Sequence, residues 1–390
     1  MENSGAEVVG EQENKKLEMG FEAKNELSNH KRKMKKKKFL WIPRFGCMRL
    51  DDDFPVAEKP DVGGFAVEAG FNGKDQQPKH LIVMVNGIIG SAQNWRYAAK
   101  QFVKAYPSEV IVHCSESNSS MLTLDGVDVM GKRLADEVIS VVGRHSNLEK
   151  ISFVGHSLGG LIARYAIAVL YQQDSTRKSA DENGECGEEE EKTRGKIAGL
   201  EPINFITFAT PHLGARGHKQ IPVLCGFHTL EKAALHASGV LRRTGKHLFL
   251  RDNENGKPLL LQMTDDSDDL RFISALQSFR RRVAYANTSF DHVVGWSSSS
   301  LRRLNELPKR RNLVKNAKYR YIFTEETPQT ANIKVSRGRT SEMEEAMLRG
   351  LTTRLSWERV DVDFRRSIQG LFAHTTIQAR IRLYIFCDRG

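Results

Sequence analysis

One stretch limits the fold of this chain more than any other: KISFVGHSLGGLIARYAIAVLY, from Lys150 to Tyr171. It opens with an apolar run, Ile151 to Val154, which is typical of a strand buried on both faces of a parallel sheet. From Leu158 onward the apolar residues recur at helical spacing, and this predicts a helix packed on that sheet. Between strand and helix lies Gly155-His156-Ser157-Leu158-Gly159, which fits the G-x-S-x-G pattern of a nucleophile elbow.

An elbow of this kind holds a serine at the tip of a tight turn between strand and helix. Gly155 and Gly159 remove the side chains that would collide where the two elements pass closely. We therefore expect Ser157 to expose its hydroxyl above the sheet as a nucleophile. The backbone N–H of Leu158, in the first turn of the helix, is expected to point at the developing oxyanion.

Strands and helices alternate along most of the chain. The alternation predicts an α/β fold with a doubly wound, mostly parallel sheet, right-handed crossovers and helices on both faces. The predicted strands are 81–85, 109–113, 151–154, 203–208, 283–286 and 357–364. The predicted helices are 91–103, 127–142, 158–170, 268–281 and 342–351.

A serine hydroxyl is a poor nucleophile at neutral pH, so Ser157 needs a general base and an acid that orients the base. In folds with such an elbow the order along the chain is serine, acid, histidine. Asp291 and His374 follow predicted strands in that order and are the predicted acid and base. His292 is a rival base that we interpret as a loop histidine. The rival acids precede a helix and are interpreted as its N-terminal caps: Asp265, Asp266, Asp268 and Asp269.

Acyl transfer also needs a second donor for the oxyanion. The loop after the first core strand, Asn86-Gly87-Ile88, is predicted to supply it through the backbone N–H of Ile88. A later loop, Thr210 to Gly214, is expected to lie at the same edge of the sheet. There we favour a structural role for His212.

The length of 390 residues and a hydrophobic content of 39% fit one globular domain with additions. We predict an α/β domain over 76–390, preceded by a largely disordered region over 1–75. Within the domain, 172–196 is predicted to be a disordered acidic insertion and 215–263 a candidate lid. No apolar stretch reaches the roughly 20 residues of a membrane span, so an integral membrane protein is not expected.

The net charge of +11 is concentrated in a basic run over 31–38. This run is a solvated tail, a nuclear import signal, or a segment attracted to nucleic acid or to anionic lipid. The apolar residues that follow, Phe39 to Ile42, favour the lipid surface over nuclear import. Seven arginines could also face an anionic membrane, although a solvated surface is the favoured interpretation: Arg242, Arg243, Arg280, Arg281, Arg282, Arg302 and Arg303. No nucleic-acid partner is expected, because no recognised module is present.

The five cysteines are scattered and form no C-x-x-C pair, which indicates reduced thiols and no zinc site. No metal or other cofactor is expected. The first 20 residues carry several glutamates and no apolar core, so neither a secretory signal nor a transit peptide is predicted. A cytoplasmic location, with peripheral contact to an anionic membrane surface, is the expectation.

Five blocks of the sequence resemble a known family: VMVNGIIGSAQNWRYAA, FVGHSLGGLIARYAI, FITFATPHLGARG, RVAYANTSFDHVVGW and FAHTTIQ. Together they span roughly His80 to Gln378 and are similar to the putative serine esterases, lipase-like α/β-hydrolases, most of all to the plant branch. The resemblance implies the α/β-hydrolase fold and supports the triad Ser157, Asp291 and His374. Many relatives have His-Gly where this chain has Asn86-Gly87.

The residues and the resemblance together predict a metal-independent serine hydrolase that cleaves carboxyl esters through an acyl-enzyme. The expected substrate is a lipid ester such as a phospholipid, a lysophospholipid or an acylglycerol. A catalytically silent member that binds a lipid or a protein is one alternative. A thioesterase, a peptidase or a protein deacylase with the same triad is another.

Overall fold

The computed structural model describes residues 56–61, 64–69, 78–173, 195–215, 241–253, 256–325, 342–365, 367, 370 and 372–380. The strands are β1 (Val56–Asp61), β2 (Gly64–Ala69), β3 (His80–Val85), β4 (Val110–Ser115), β5 (Lys150–His156), β6 (Tyr171–Gln172), β7 (Lys196–Ile197), β8 (Glu201–Phe208), β9 (Arg281–Asn287), β10 (Leu313–Lys315), β11 (Ile322–Glu325) and β12 (Glu358–Val362). The helices are α1 (Arg96–Ala105), α2 (Val127–Arg144), α3 (Leu158–Leu170), α4 (Arg242–Leu248), α5 (Leu259–Gln262), α6 (Phe272–Ser278), α7 (Trp296–Ser300), α8 (Glu342–Thr353) and α9 (Ala373–Arg380). Short 3-10 helices occupy Ala92–Trp95, Ser120–Leu124, Leu304–Glu306 and Arg310–Asn312.

Ten strands form one sheet in the order β1-β2-β4-β3-β5-β8-β9-β12-β11-β10. The six central strands, from β4 to β12 in that order, pair in parallel. Antiparallel strands complete both edges. This topology, with helices between the parallel strands, confirms the predicted doubly wound α/β-hydrolase fold.

Both faces of the sheet are covered, which explains why its central strands are continuous apolar runs. Along β3, Leu81, Val83 and Val85 enter one core cluster together with α2 and α3. Ile82 and Met84 point the other way and pack with α1 and α9. The period of two along the strand therefore divides the core into two layers.

The register of the parallel strands brings their carboxyl ends to one edge. Val85 at the end of β3 pairs with Gly155 in β5. His156 pairs with Phe208 at the end of β8, and Asn287 at the end of β9 pairs with Val362. Strand β4 lies on one side of β3 in the sheet, and the next strand, β5, lies on the other. The strand order therefore reverses between β3 and β5, and ligands bind at such a switch point in open α/β sheets.

Four antiparallel strands at the edges of the sheet are absent from the predicted set. β1 and β2 lie within 1–75, and β10 and β11 lie between the predicted elements at 283–286 and 342–351. The prediction that 1–75 is largely disordered stays a prediction. β1 reads VAEKPD and is an edge strand, where charges and proline are tolerated although they hide the strand pattern. The basic run over 31–38 and nearly all of the acidic insertion lie outside the described residues.

The described part of 215–263, the candidate lid, packs into the domain, and its role as a lid stays a prediction. The N–H of Gly126 donates to Thr244 Oγ1 at 3.0 Å, and the N–H of Val127 donates to His247 Nδ1 at 3.0 Å. Leu248, Leu250, Leu260 and Met263 are buried in the core. The residues from 216 to 240 lie outside the described part. Across the described ranges, no helix combines the length and apolar character needed to span a membrane.

A buried polar network ties the end of β4 to α2. Glu137 is 4% exposed, and its Oε1 lies 2.8 Å from Nε2 of the fully buried His113. Its Oε2 accepts hydrogen bonds from Ser115 Oγ at 2.6 Å and from Ser117 Oγ at 2.5 Å. One carboxylate thus fixes the chain as it leaves β4.

Replacing Glu137 with alanine should destabilise the fold, because the buried His113 and Ser115 and the half-buried Ser117 lose this acceptor. We expect Glu137→Ala to lower the free energy of unfolding by about 3 kcal/mol. Asp136→Ala, on the exposed neighbour in the same helix, should change it by less than about 0.5 kcal/mol. Urea denaturation followed by circular dichroism measures both, and equal losses would contradict the account.

Candidate active site

Ser157 lies at the junction of β5 and α3 in strained backbone geometry, with φ 53° and ψ −125°. Positive φ is uncommon for a residue with a side chain and marks a constrained turn. A Cβ added to Gly159 would lie 2.3 Å from the Val85 carbonyl oxygen. One added to Gly155 would lie 2.6 Å from Gly160 Cα. The two glycines therefore allow the close approach that the elbow requires.

His374, in the first turn of α9, joins the two other residues that the sequence singles out. Its Nε2 is 3.0 Å from Ser157 Oγ, across 217 positions of the chain. Its Nδ1 is 3.1 Å from Asp291 Oδ2. Serine, imidazole and carboxylate thus form one line of hydrogen-bonding groups, the arrangement in which a base takes a hydroxyl proton while an acid orients it.

The carboxylate of Asp291 is held at both oxygens. Oδ1 accepts the N–H groups of Val293 at 3.0 Å and Val294 at 2.9 Å. Oδ2 accepts Asn287 Nδ2 at 2.8 Å in addition to His374. Burial alone would raise the pKa of Asp291, but His374 and these hydrogen bonds outweigh it and lower the pKa below its ordinary value. The acid is therefore ionised at neutral pH.

The rival residues have other surroundings. His292 is exposed. Asp266 Oδ1 accepts the N–H groups of Ile273 at 2.8 Å and Ser274 at 3.1 Å, which confirms its interpretation as a helix cap. The capped N–H groups belong to residues 273 and 274, beyond the start of the predicted helix over 268–281. The observed helix α6 begins at Phe272 and is shorter than predicted.

Asn287 is a residue of the site that sequence reasoning missed. It is the last residue of β9, and its Nδ2 donates to Asp291 and, at 3.3 Å, to the Ala373 carbonyl oxygen. It therefore links the acid loop to the helix that carries His374. The available signal was a polar residue at the carboxyl end of a predicted buried strand.

His156, inside the elbow motif, was also missed. It is 5% exposed, and its Nε2 donates to the His374 carbonyl oxygen at 2.7 Å. Burial, with a smaller effect of the nearby His374, lowers the pKa of His156 to about 3. The ring is thus neutral at neutral pH and fixes the backbone of the candidate base. The spacing of the motif contains no sign of this contact.

The two residues predicted to donate to the oxyanion belong to segments next to the nucleophile. Leu158 directly follows Ser157 as the first residue of α3. Ile88 follows Gly87, where an added Cβ would lie 2.9 Å from Ser157 Cβ, so this loop is packed against the nucleophile. The role of both N–H groups stays a prediction.

The loop after β8 contains His212, for which the sequence predicts a structural role. His212 is fully buried, its Nε2 lies 3.0 Å from Thr207 Oγ1, and its ring packs against Trp357. Burial lowers the pKa of His212 well below its ordinary value. The buried Arg164 donates to the carbonyl oxygens of His212 at 3.4 Å and Met263 at 2.9 Å. These contacts support the predicted structural role of His212.

Comparison with known proteins identifies a family whose sequence model matches this chain. The family model described as "Putative serine esterase (DUF676)" matches residues 75–301. The match contains Ser157 and Asp291 and ends before His374.

Two curated yeast proteins and a solved structure are similar to the chain. "Putative lipase ROG1" of Saccharomyces cerevisiae is 35% identical over 233 residues, 58% of this chain and 29% of that protein. "Putative lipase C4A8.10" of Schizosaccharomyces pombe is 28% identical, over 57% of this chain and 26% of that protein. The chain thus matches less than a third of either relative. The mature form of the Bacillus licheniformis lipase BlEst2 is 15% identical with a TM-score of 0.34, covering 62% of this chain and 76% of that one.

Two histidines that stay neutral in the folded protein predict how its stability depends on pH. Burial lowers the pKa of His80 to about 4 and that of His156 to about 3. In the unfolded chain both take up protons near pH 6.5, whereas the folded protein does not, so unfolding binds protons as the pH falls. Each should remove about 1.4 kcal/mol of stability per pH unit below about 6.5, until its folded pKa is reached.

Urea denaturation at pH 7 and pH 5 tests this. We expect a lower free energy of unfolding at pH 5, and a smaller drop in His156→Gln. Equal stability at the two pH values would contradict the burial of neutral histidines.

Proposed function

Because the chain belongs to the family described as "Putative serine esterase (DUF676)", we propose that it hydrolyses carboxyl esters with Ser157 as nucleophile. His374 is the proposed general base and Asp291 the residue that orients it. The observation that carries the proposal is the line of contacts from Ser157 Oγ to His374 Nε2 at 3.0 Å and from His374 Nδ1 to Asp291 Oδ2 at 3.1 Å.

In the proposed acylation, Ser157 Oγ attacks the ester carbonyl carbon and its proton moves to His374 Nε2. The ionised Asp291 stabilises the imidazolium that forms. The carbonyl oxygen becomes an oxyanion that accepts hydrogen bonds from the N–H groups of Leu158 and Ile88. When the tetrahedral intermediate collapses, the ester C–O bond breaks, the alcohol leaves with the proton from His374, and an acyl-enzyme remains.

Deacylation repeats these steps with water. A water molecule attacks the acyl carbon and gives its proton to His374. Collapse of the second intermediate breaks the bond to Ser157 Oγ, which takes this proton from His374, and the carboxylic acid is released. Ser157 is thus protonated again by a proton from water, and the chain ends the cycle unchanged.

The proposed substrate is an ester with an apolar acyl group, such as a phospholipid, a lysophospholipid or an acylglycerol. Large apolar side chains are exposed at several places on the described part of the chain, among them segments that follow central strands of the sheet. Five residues of those segments are 45–55% exposed: Ile89, Met121, Leu122, Phe290 and Phe372. Phe290 precedes the acid and Phe372 lies two positions before the base. Exposed apolar side chains in the loops that carry the proposed acid and base favour an apolar ligand.

The seven arginines named above as a candidate membrane-facing surface give little support to membrane binding. Most of them pair with acidic side chains: Arg243 with Asp128, Arg280 with Glu201, Arg281 with Glu358, Arg302 with Asp361, and Arg303 with Glu306 and Glu345. Arg282 is buried and donates to backbone carbonyl oxygens. Peripheral contact with an anionic membrane thus rests on the basic run over 31–38, outside the described residues.

Labelling with a fluorophosphonate probe tests the proposed nucleophile and base. The wild type should react, Ser157→Ala should not, and His374→Ala should react at least about 1,000-fold more slowly, because its serine keeps its proton. His292→Ala is the matched control, since it removes a histidine beside Asp291 that has no proposed role. Its labelling rate should equal that of the wild type.

Two results would contradict the proposal. Labelling that survives in Ser157→Ala at the wild-type rate would move the nucleophile elsewhere. A folded wild type that does not react would favour a lipid- or protein-binding role for the fold.

A further inference from the structure

Asn86 connects strand β3 to the loop that carries the proposed second oxyanion donor. Its side chain is buried, with 1% of the residue exposed. Nδ2 donates to the Gly87 carbonyl oxygen at 3.1 Å and to the Asn118 carbonyl oxygen at 2.9 Å. An amide nitrogen carries two hydrogens, so both are used.

The contact with Gly87 sets the direction of the Ile88 N–H. The Gly87 carbonyl and the Ile88 N–H belong to one planar trans peptide, in which they point in opposite directions. The same oxygen also accepts the N–H of Gly90 at 3.0 Å. Because the oxygen is held by two donors, the N–H on the other side of the peptide is held as well.

The rest of this loop needs outside support, since it contains strained backbone. Ile89 has φ 53°, which is a costly conformation for a β-branched residue. Its N–H donates to Thr123 Oγ1 at 2.9 Å, and the Gly90 carbonyl oxygen accepts the N–H of Ser120 at 2.9 Å. The loop is thus bound along its length to the segment that follows β4.

That segment is itself fixed, so it is a firm support for Asn86. Asn118 is 1% exposed, and its Nδ2 donates to the Met130 carbonyl oxygen in α2 at 2.8 Å. Glu137 in the same helix holds the preceding Ser115 and Ser117. A continuous set of buried hydrogen bonds therefore runs from α2 to the Gly87 peptide.

We propose that Asn86 is a positioning residue that aims the Ile88 N–H at the oxyanion, an inference that rests on the proposed ester hydrolysis. Asn86 touches the peptide and not the substrate. Its loss should therefore weaken binding of the transition state while leaving substrate binding almost unchanged. Removing one oxyanion donor lowers kcat by about 100- to 1,000-fold, and misdirecting one should cost about 10- to 100-fold.

The test compares Asn86→Asp and Asn86→Ala with the wild type in hydrolysis of p-nitrophenyl butyrate. Asn86→Asp keeps the shape of the side chain and removes its N–H donors, and Asn86→Ala removes them without adding charge. We expect kcat to fall about 10- to 100-fold in both, with KM within about threefold of the wild type. The rate of fluorophosphonate labelling should fall by a similar factor.

Asn204→Ala is the matched control for loss of a buried asparagine. Asn204 is 2% exposed, lies in β8 away from the catalytic edge, and its Nδ2 donates to Ser152 Oγ at 3.4 Å. It should lower the melting temperature without lowering kcat. An equal loss of kcat in Asn204→Ala would assign the effect to general destabilisation and overturn the inference.

The remaining outcomes separate the inference from the function on which it rests. If the wild type is active and folded Asn86→Ala has the same kcat, the inference fails and ester hydrolysis stands. If turnover survives in Ser157→Ala, the proposed function fails and the inference fails with it.

Discussion

The close approach of helix α3 to strands β3 and β5 is the contact on which the candidate site depends. Ser157 can occupy its strained turn because glycine at 155 and 159 lets backbone meet backbone. The same approach brings the nucleophile beside Gly87, at the end of β3. Parallel strands in register then bring the acid loop and the helix of His374 to the same edge. A larger residue at either glycine would separate all of these parts.

Backbone carbonyl oxygens join the loops of the site to one another. His156 donates to the carbonyl of His374, Asn287 to that of Ala373, and Asn86 to those of Gly87 and Asn118. Each donor is buried, where a lost partner is costly, so each contact holds its loop firmly. His156, Asn287 and Asn86 have no proposed contact with the substrate, yet they hold the loops that carry the proposed catalytic residues.

The sequence predicts the parts of this protein that depend on local patterns. Apolar runs locate the central strands, and the elbow motif with the order of acid and base singles out Ser157, Asp291 and His374. The edge strand β1 escapes prediction because its charges and proline leave no alternation. The contacts of His156 and Asn287 escape because they join residues 218 and 86 positions apart. The packing of α4 against Val127 is likewise a long-range contact that no local pattern encodes.

Trapping of the acyl-enzyme identifies the residue that attacks the ester. The wild type would be mixed with p-nitrophenyl butyrate, quenched in acid during the first turnover, digested and mapped by mass spectrometry. We expect one butyryl group, carried by Ser157. Turnover with the butyryl group on another residue, or with no covalent adduct at any quench time, would contradict nucleophilic catalysis at the elbow.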